Sequence, residues 1–341
     1  MGSQGADEVQ LVQAETTTMV PPPEEEQQQQ QALVHKIAGL AAAIAKLPSL
    51  TPSPEVNALF TELVTACIPP SAVDVERLGP ELQDMRARLI RLCADAEGLL
   101  EAHYSDLLAA FDNPLDHLAL FPYFNNYILL SDLEHGLLSR HVPGPPPARV
   151  AFVGSGPLPL SSLVLAARHL PAAAFDNYDI SADANDRARR LVRADAGLTA
   201  RMAFRTSDVA HVTRDMASYD VVFLAALVGM AAEDKARVVD HLGRHMAPGA
   251  ALVVRSAHGA RGFLYPVVDP EEIRRGGFEV LAVHHPEGEV INSVIIARKP
   301  VAAGVAHAHG AVLSRPCLCC EMEARAHHKM EEVAMEQLPS T

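Results

Sequence analysis

Apolar residues recur at helical spacing over residues 32–140 of this chain. In the longest such segment the apolar positions are Leu78, Leu82, Met85, Leu89, Leu92 and Ala96. Intervals of three and four residues place these side chains on one face of an amphipathic helix. Proline-rich breaks such as Pro69-Pro70 separate the segments. The pattern therefore predicts an all-α domain over residues 32–141.

The pattern changes after residue 148, where short continuous apolar runs alternate with amphipathic segments. This alternation predicts parallel strands connected by helices, the arrangement of a doubly wound α/β sheet. Strands are expected near residues 149–154, 173–180, 202–206, 220–227, 250–256, 279–285 and 293–299. Helices are expected near 158–170, 182–195, 231–246 and 269–275. The last two strands are close enough for an antiparallel edge hairpin, which is typical of a Rossmann-like class I methyltransferase-type sheet.

Composition marks the boundaries of these two regions. Residues 1–31 carry runs of threonine, proline, glutamate and glutamine with almost nothing to bury, which predicts a disordered N-terminus. Residues 142–148 form a proline-rich linker, and residues 149–300 are expected to form the Rossmann-like domain. The periodic pattern then stops, so residues 301–341 are expected to be a flexible tail that contains cysteine and histidine.

The 341 residues carry a formal net charge of −14 and no tryptophan, which disfavours nucleic acid as a partner. The chain has no apolar run of about 18 residues that would span a membrane, and its N-terminus lacks the pattern of a secretory signal. Five cysteines, an odd number, disfavour a disulfide framework. We therefore expect a cytoplasmic protein, and a homodimer is compatible with the sequence. Tyr104–Leu107 has the form of a vesicle-sorting signal, although packing within a helix explains this segment better.

A glycine turn follows the first predicted strand of the sheet. Val150–Val153 leads directly into Gly154, Ser155 and Gly156, and a helix is expected to start near Leu158. The glycines allow the backbone to turn sharply and approach a ligand, while the helix N-terminus directs partial positive charge at it. These residues predict a site for an adenosine-bearing ligand, although a purely structural turn has the same form.

Residues after the next three strands extend this predicted site. Asp179 follows Gly156 by 23 residues, close to the roughly 20 expected for an acid that binds ribose hydroxyls, and Asp176 lies just before it. Asp208 follows the third strand and could accept the adenine amino group, but a turn cap would use the same residue. Ala225 follows the fourth strand, where a small side chain leaves room for a ligand.

Three residues at or after the fifth strand are candidates for binding substrate carboxylates. They are Arg255, Arg261 and Tyr265. A guanidinium forms a two-pronged hydrogen bond with a carboxylate, which makes arginine suitable for this task. Surface salt bridges are the alternative explanation for the two arginines.

The predicted helical domain contributes a second set of candidates. Glu101 could act as a general base, although most glutamates on amphipathic helices are simply solvated. Tyr123 and Tyr127 belong to an aromatic segment that also holds Asn125 and Asn126, which are poor residues for a helical core. We therefore expect this segment to face the ligand edge of the sheet and to form one wall of an active site.

The tail holds a group of potential metal ligands. They are Cys317, Cys319, Cys320, His327 and His328. Their spacing fits no closed zinc site. We therefore expect no enzyme-bound metal, with a metal-regulated tail as the alternative.

Four segments closely resemble nicotianamine synthase in its plant form. They are Phe121–Tyr127 (FPYFNNY), Val150–Ser162 (VAFVGSGPLPLSS), Phe175–Ser181 (FDNYDIS) and Arg261–Pro266 (RGFLYP). The resemblance extends in order over about residues 33–300. The run that follows the glycine turn is unlike that of ordinary methyltransferases, so the resemblance is specific.

This resemblance implies a reaction in which three S-adenosylmethionine molecules condense through their 3-amino-3-carboxypropyl groups and release methylthioadenosine. One attack within a single unit closes an azetidine ring, and the product chelates metals. The resemblance also implies that S-adenosylmethionine is the substrate, with no other cofactor, and that Glu101 and Tyr127 are the carboxylate and phenol of the reaction chamber. The residues that would hold the donor are Gly154, Gly156, Asp179 and Asp208.

The sequence leaves two alternatives open. A class I methyltransferase would use the same sheet, but would lack the helical element that holds Tyr123 and Tyr127. A non-catalytic ligand- or metal-binding protein would bind an adenosine ligand without turnover.

Overall fold

Four α-helices precede the sheet in the computed structural model, which describes residues 23–301. They are α1 (Pro23–Ile44), α2 (Pro54–Cys67), α3 (Pro80–Leu108) and α4 (Phe124–His141). Shorter 3₁₀ segments at Val75–Arg77 and Pro114–Leu120 flank α3. The apolar faces of α1, α2 and α3 meet in a shared core that includes Ile37, Leu63 and Leu89. The helical periodicity read from the sequence is confirmed.

Helix α1 corrects one predicted boundary. The sequence predicts disorder up to residue 31, whereas α1 begins at Pro23 and includes the glutamine run. Glutamine is a good helix former, and three glutamates lie in the first turn, where negative charge interacts favourably with the helix dipole. The helical turns after residue 31 pack against the core, and the helix therefore continues from them toward the N-terminus through a polar segment that buries little surface. Residues 1–22 and the predicted tail from residue 302 onward lie outside the described residues.

Seven strands form one sheet in the order β3-β2-β1-β4-β5-β7-β6. The strands are β1 (Arg149–Val153), β2 (Ala174–Asp179), β3 (Met202–Thr206), β4 (Val221–Leu224), β5 (Ala251–Ser256), β6 (Glu279–His284) and β7 (Ser293–Arg298). The pairings among β1 to β5 are parallel, while β7 runs antiparallel to both β5 and β6. The predicted class I methyltransferase-type sheet with its antiparallel edge hairpin is confirmed.

Five helices connect the parallel strands and lead into the hairpin. They are α5 (Leu160–Val164), α6 (Ala182–Val192), α7 (Ala196–Arg201), α8 (Ala232–His245) and α9 (Pro270–Arg275). The first helix was expected to start near Leu158, and α5 begins two residues later, at Leu160 after Pro159. A proline disfavours helical backbone in the residue before it, which keeps Leu158 outside the helix.

The order of the strands determines where a ligand can bind. The chain leaves β1 toward β2 and β3 on one side and returns to β4 and β5 on the other. In such sheets the crevice at the carboxyl ends of the two strands between which the order reverses is the usual ligand site. Alternate residues of β1 enter opposite cores, with Val150 and Phe152 on one side and Ala151 and Val153 on the other. Strand β1 is therefore held from both faces beneath the glycine turn.

The helical region packs against the sheet. Leu130 of α4 belongs to the same apolar cluster as Phe152 of β1, and Asp106 of α3 forms an ion pair with Arg187 of α6 (3.1 Å). The described residues before residue 300 belong to one compact unit, and the division into a helical and a Rossmann-like domain stays a prediction. Among the described helices, none is both long and apolar enough to cross a membrane.

Candidate active site

A cavity of about 1230 Å³ lies at the carboxyl ends of β1, β2 and β4. The glycine turn and the loops after these strands form its sheet side. Its opposite side is formed by α3 and α4 through Glu97, Glu101 and Tyr127. Ligand sites for single small molecules measure roughly 300–1,000 Å³, so this cavity is large enough for a ligand of the size of an adenosine derivative.

Main-chain N–H groups of the glycine turn and of the start of α6 donate hydrogen bonds to the Asp179 carboxylate. Gly154 and Gly156 have φ values of 80° and 67°, which residues other than glycine rarely adopt. The Gly156 N–H donates to Asp179 Oδ2 (2.9 Å), and the Ser181 N–H donates to Asp179 Oδ1 (2.8 Å). Asp179 thus holds the glycine turn and the start of α6 in one arrangement at the cavity wall.

Glu101 of α3 lies directly against this turn. A Cβ atom on Gly156 would be only 2.6 Å from Glu101 Oε2, so a side chain at this position would displace the carboxyl group. The Tyr127 hydroxyl donates to Glu101 Oε1 (3.0 Å) and makes a longer contact with Glu97 Oε1 (3.4 Å). The Tyr265 hydroxyl donates to Glu97 Oε2 (2.9 Å). Two carboxyl groups and two phenols therefore form one connected network beside the glycine turn.

Burial changes the protonation of this network. It raises the pKa of Glu101 well above its usual range, and the neighbouring Glu97 carboxylate raises it further. Burial also raises the pKa of Glu97, although hydrogen bonds from Tyr265 and Tyr127 oppose the shift. The pKa values of both phenols are raised by burial too, so each phenol stays protonated and acts as a donor. Two carboxyl groups that contact the same hydroxyl influence each other's titration, so their pKa values belong to the pair.

Arg255 of β5 reaches the cavity wall with its guanidinium already engaged. Its Nε and Nη2 groups donate to the two carboxylate oxygens of Glu134 (2.7 and 2.9 Å), and Nη2 also donates to Ser161 Oγ (2.7 Å). Glu134 is fully buried on α4, so this ion pair ties the helical region to the sheet. Among the described residues these bonds leave the Nη1 group available to a ligand.

Most of the predicted ligand residues line this cavity together. They are Glu101, Tyr127, Gly154, Ser155, Gly156, Asp179, Asp208, Ala225, Arg255 and Tyr265. Asp208 also accepts a hydrogen bond from the Ala210 N–H (2.9 Å), so both interpretations of this residue, turn cap and ligand contact, are compatible with the structure. Ile180 presents an apolar side chain to the cavity and is 77% exposed.

Arg261 holds the structure together instead of lining the cavity. Its guanidinium donates to the carbonyl oxygens of Ile68 (2.7 Å), Gly288 (2.8 Å) and Pro286. The prediction that Arg261 binds a substrate carboxylate is therefore wrong. The physical reason is that its guanidinium is held by main-chain carbonyls of two other segments, and Arg261 does not reach the cavity wall.

Asp176 also lies away from the cavity. It forms ion pairs with Arg149 (3.2 Å) and Arg205 (2.6 Å) and accepts a hydrogen bond from the Tyr219 hydroxyl (2.8 Å). Asp176 precedes Asp179 by three residues on β2, and an odd separation along a strand places two side chains on opposite faces. The prediction of a ligand contact for Asp176 is therefore wrong.

Tyr123 borders a second, smaller cavity of about 190 Å³ that lies mostly within the helical region. This cavity shares Glu97, Tyr127 and Tyr265 with the larger one, while Tyr123 contributes to the smaller one. The structure therefore does not bring Tyr123 to the glycine turn, and its predicted catalytic role lacks a direct contact there.

Glu97 and Glu134 are candidates that the sequence patterns did not single out. Glu97 precedes Glu101 by four residues on α3, which places both carboxyl groups on one face of the helix, and this spacing is a usable signal. The pairing of Glu134 with Arg255 has no local signal, because 121 residues separate the two positions.

Metal ligation has no obvious place in the described part of the chain. Within residues 23–301 no group of three or more histidine, cysteine, aspartate or glutamate side chains is arranged to hold a metal ion. Burial raises the pKa of Cys67 to about 12, which keeps this thiol protonated. The cysteine and histidine group of the predicted tail lies outside the described residues.

Comparison with known proteins provides independent evidence. A family model described as nicotianamine synthase protein matches residues 25–303. Nicotianamine synthase 3 of Oryza sativa subsp. japonica is 80% identical over 319 residues, which cover 91% of this chain and 93% of that protein. Nicotianamine synthase 9 of Hordeum vulgare is 77% identical over 322 residues, which cover 90% of this chain and 95% of that protein.

A solved structure shares the fold. The crystal structure of MtNAS in complex with MTA and tNA aligns with a TM-score of 0.64 and covers 80% of this chain and 98% of that one. Its sequence identity is 22%, so this likeness supports the fold alone. The family match and the high identity to the Oryza and Hordeum proteins show that this chain belongs to the nicotianamine synthase family.

Proposed function

We propose that this chain condenses three S-adenosylmethionine molecules to nicotianamine by 3-amino-3-carboxypropyl transfer. In each transfer a neutral amine attacks the γ-carbon beside the sulfonium, so an N–C bond forms and the C–S bond breaks. The electron pair goes to sulfur, methylthioadenosine leaves as a neutral thioether, and the new ammonium loses a proton. An intramolecular attack of the same kind closes the azetidine ring.

The position of Glu101 beside the glycine turn is the observation that carries this proposal. The turn is the element of such sheets that approaches an adenosine ligand, and Glu101 Oε2 fills the space where a Cβ of Gly156 would lie. A sulfonium is already an activated leaving group, so the reaction needs an oriented amine and a base more than a nucleophile from the protein. A carboxyl group at this point meets that need.

Glu101 is the proposed base that keeps the attacking amine neutral. Its raised pKa makes the ionised carboxylate a stronger proton acceptor than an ordinary glutamate. The positive charge of a bound sulfonium favours the ionised carboxylate, and so does the hydrogen bond from the Tyr127 hydroxyl (3.0 Å). Tyr127 therefore orients the base and maintains its reactive form.

The sheet side of the cavity is the proposed donor site. Asp179 would accept hydrogen bonds from the ribose hydroxyls, and Asp208 would accept a hydrogen bond from the adenine amino group. The exposed side chain of Ile180 offers the adenine ring an apolar surface, and Ala225 leaves space beside it. Arg255 would contact a substrate carboxylate through its Nη1 group, since Glu134 and Ser161 use the remainder of the guanidinium.

We propose that metal ions are bound by the product and not by the protein. Nicotianamine chelates ions such as iron, zinc and copper, and none of the steps above needs a metal or a further cofactor on the protein. We propose a role in metal homeostasis and a cytoplasmic location, with a homodimer and vesicle association as arrangements to be examined in solution and in cells.

Incubation with S-adenosylmethionine alone tests the proposed reaction. Mass spectrometry should detect nicotianamine and three methylthioadenosine molecules for each product molecule. Formation of S-adenosylhomocysteine would indicate the methyltransferase alternative. Tight binding of S-adenosylmethionine without any product would indicate a binding protein.

The Glu101→Gln variant tests the base. We expect kcat to fall by about 100-fold to 10,000-fold, the usual contribution of a positioned base, while S-adenosylmethionine still binds. Chromatography of methylthioadenosine and titration calorimetry measure the two effects. Glu81→Gln is the matched control, because Glu81 is exposed in the first turn of the same helix. Full product formation by Glu101→Gln would overturn the assignment of the base and leave the reaction itself standing.

A further inference from the structure

The Tyr127 hydroxyl connects two carboxyl groups that differ in their surroundings. It lies 3.0 Å from Glu101 Oε1 and 3.4 Å from Glu97 Oε1. Glu101 is buried against the glycine turn, whereas Glu97 is only half-buried and borders both the large and the small cavity. One end of this chain of groups is therefore at the proposed reaction centre, and the other end opens onto two cavities.

Successive transfers deliver more than one proton to Glu101. Each transfer releases a proton from a nitrogen in the cavity, and a carboxyl group can hold only one. Glu101 must therefore lose its proton before it can assist the next attack. Because it is 8% exposed, direct exchange with solvent is restricted, and a hydrogen-bonded route is the alternative.

We propose that Glu97 is a second acid–base residue that receives the proton of Glu101 through the Tyr127 hydroxyl and releases it to solvent; this proposal rests on the function proposed above. Glu101 passes its proton to the Tyr127 oxygen while the Tyr127 O–H proton moves to Glu97 Oε1. Only O–H bonds form and break, and the phenol ends the step neutral. Glu97 then loses the proton, so all three groups return to their starting state.

The charges around the pair support this direction of transfer. Two carboxylates bridged by one hydroxyl repel each other, so a proton that arrives at one side favours release from the other. The Tyr265 hydroxyl donates to Glu97 Oε2 (2.9 Å) and thereby stabilises the ionised form of Glu97. Glu97 is half-buried and borders the small cavity as well as the large one, so it exchanges a proton with solvent more readily than the buried Glu101 does.

Rapid mixing of the Glu97→Gln variant with excess S-adenosylmethionine tests the relay. A glutamine cannot hold the proton, so Glu101 is expected to act once and then stay protonated. Quenched-flow chromatography should find about one methylthioadenosine per enzyme in the fast phase, against three for the wild type. The transfers that follow should be at least about 10-fold slower. Glu81→Gln serves again as the control and should match the wild type.

Small carboxylic acids give a second readout, which a purely structural role of Glu97 would not affect. Acetate or formate that enters the large cavity should accelerate the later transfers in Glu97→Gln and leave the first unchanged. Glu97→Asp keeps a carboxyl group on a shorter side chain, so it should restore part of the later rate. This variant also provides the test if the glutamine variant does not fold.

Two results would overturn the relay. One is a loss of the first transfer in Glu97→Gln as large as that in Glu101→Gln. The other is a Glu97→Gln variant that releases three methylthioadenosine molecules in the fast phase, as the wild type does, and has an unchanged steady-state rate. Absence of methylthioadenosine from the wild-type reaction would contradict the proposed function instead, so the two failures are distinguishable. Calorimetric binding of S-adenosylmethionine and the Tm of each variant verify that the folded site is being compared.

Discussion

At Gly156 both the backbone conformation and the space around the residue favour glycine. Its φ of 67° lies in the left-handed region, and the position of a Cβ atom would be 2.6 Å from Glu101 Oε2. A side chain at this position would therefore strain the turn and displace the carboxyl group together. The residue links the turn that receives the ligand to the group that we propose as the base.

Replacing Gly156 with alanine tests this link. We expect kcat/KM for S-adenosylmethionine to fall by at least about 100-fold, since a displacement near 1 Å of a reacting group has effects of this size. The free energy of unfolding should fall by about 1–2 kcal/mol because alanine disfavours the left-handed conformation. Steady-state assays and urea unfolding measure both effects. Gly136→Ala is the control, since a Cβ on this exposed residue of α4 meets no atom within 4 Å. Wild-type activity in Gly156→Ala would mean that the carboxyl group does not need this position.

The residues of the site were predictable from sequence to different degrees. The glycine turn and Asp179 follow from local spacing, and Glu101 and Tyr127 follow from the family resemblance. Arg255 and Arg261 both follow from their positions at and after the fifth strand, but each guanidinium has a partner far away along the chain, Glu134 at 121 residues from Arg255 and Ile68 at 193 residues from Arg261. Local patterns carry no information about such partners, which is why only one of the two arginines was placed correctly at the cavity.

The elements were predicted more accurately than the side-chain partners, because strands in a doubly wound sheet are continuous apolar runs. Among the strands, the largest difference is at β4, which was expected over residues 220–227 and ends at Leu224. The residues beyond it leave the strand and line the cavity. Lys235 of α8 explains their position, since its buried Nζ donates to the carbonyl oxygens of Ala225 (3.2 Å) and Ala226 (2.9 Å).

The link between β4 and α8 should appear in the pH dependence of stability. Burial lowers the pKa of Lys235 to about 7, whereas the pKa of a lysine in an unfolded chain is roughly 10.4. Between these values the unfolded state binds more protons than the folded state, so this group makes stability rise with pH. Below pH 7 both states are protonated and the slope disappears.

Lys235→Met isolates this contribution. Relative to the variant, the wild type should gain about 1 kcal/mol of unfolding free energy for each pH unit between pH 8 and 9. Urea unfolding of both proteins at several pH values measures the difference. Parallel pH profiles for the two proteins would show that the lysine stays charged in the folded state over this pH range.

For the whole molecule, buried arginines connect the helical region to the sheet. Arg255 pairs with Glu134 of α4, and Arg261 joins the end of α2 at Ile68 to the loop before β7 at Gly288. Each guanidinium satisfies acceptors from segments that are far apart in sequence. Folding of the helical region and assembly of the cavity are therefore expected to be coupled.

Removal of Arg261 should affect the fold without affecting the chemistry. We expect Arg261→Met to lose about 3 kcal/mol of unfolding free energy, because buried carbonyl oxygens lose charged donors. Below the lowered Tm, KM for S-adenosylmethionine should equal the wild-type value. Arg77→Met provides the control, because the Arg77 side chain is 87% exposed and should be replaced at almost no cost. A raised KM in fully folded Arg261→Met would show that this arginine contributes to substrate binding after all.

The origin of Glu101 on α3, outside the sheet, has a consequence for regiochemistry. A sulfonium carries three carbon substituents, and any of them can in principle be attacked. The sheet presents the donor, but the amine is delivered from the side of the helices, where the carboxyl group lies against the glycine turn. In the proposed reaction, the choice of the γ-carbon over the methyl carbon is thus a property of the direction of approach. The same donor cradle would support a different transfer if another element supplied the acceptor.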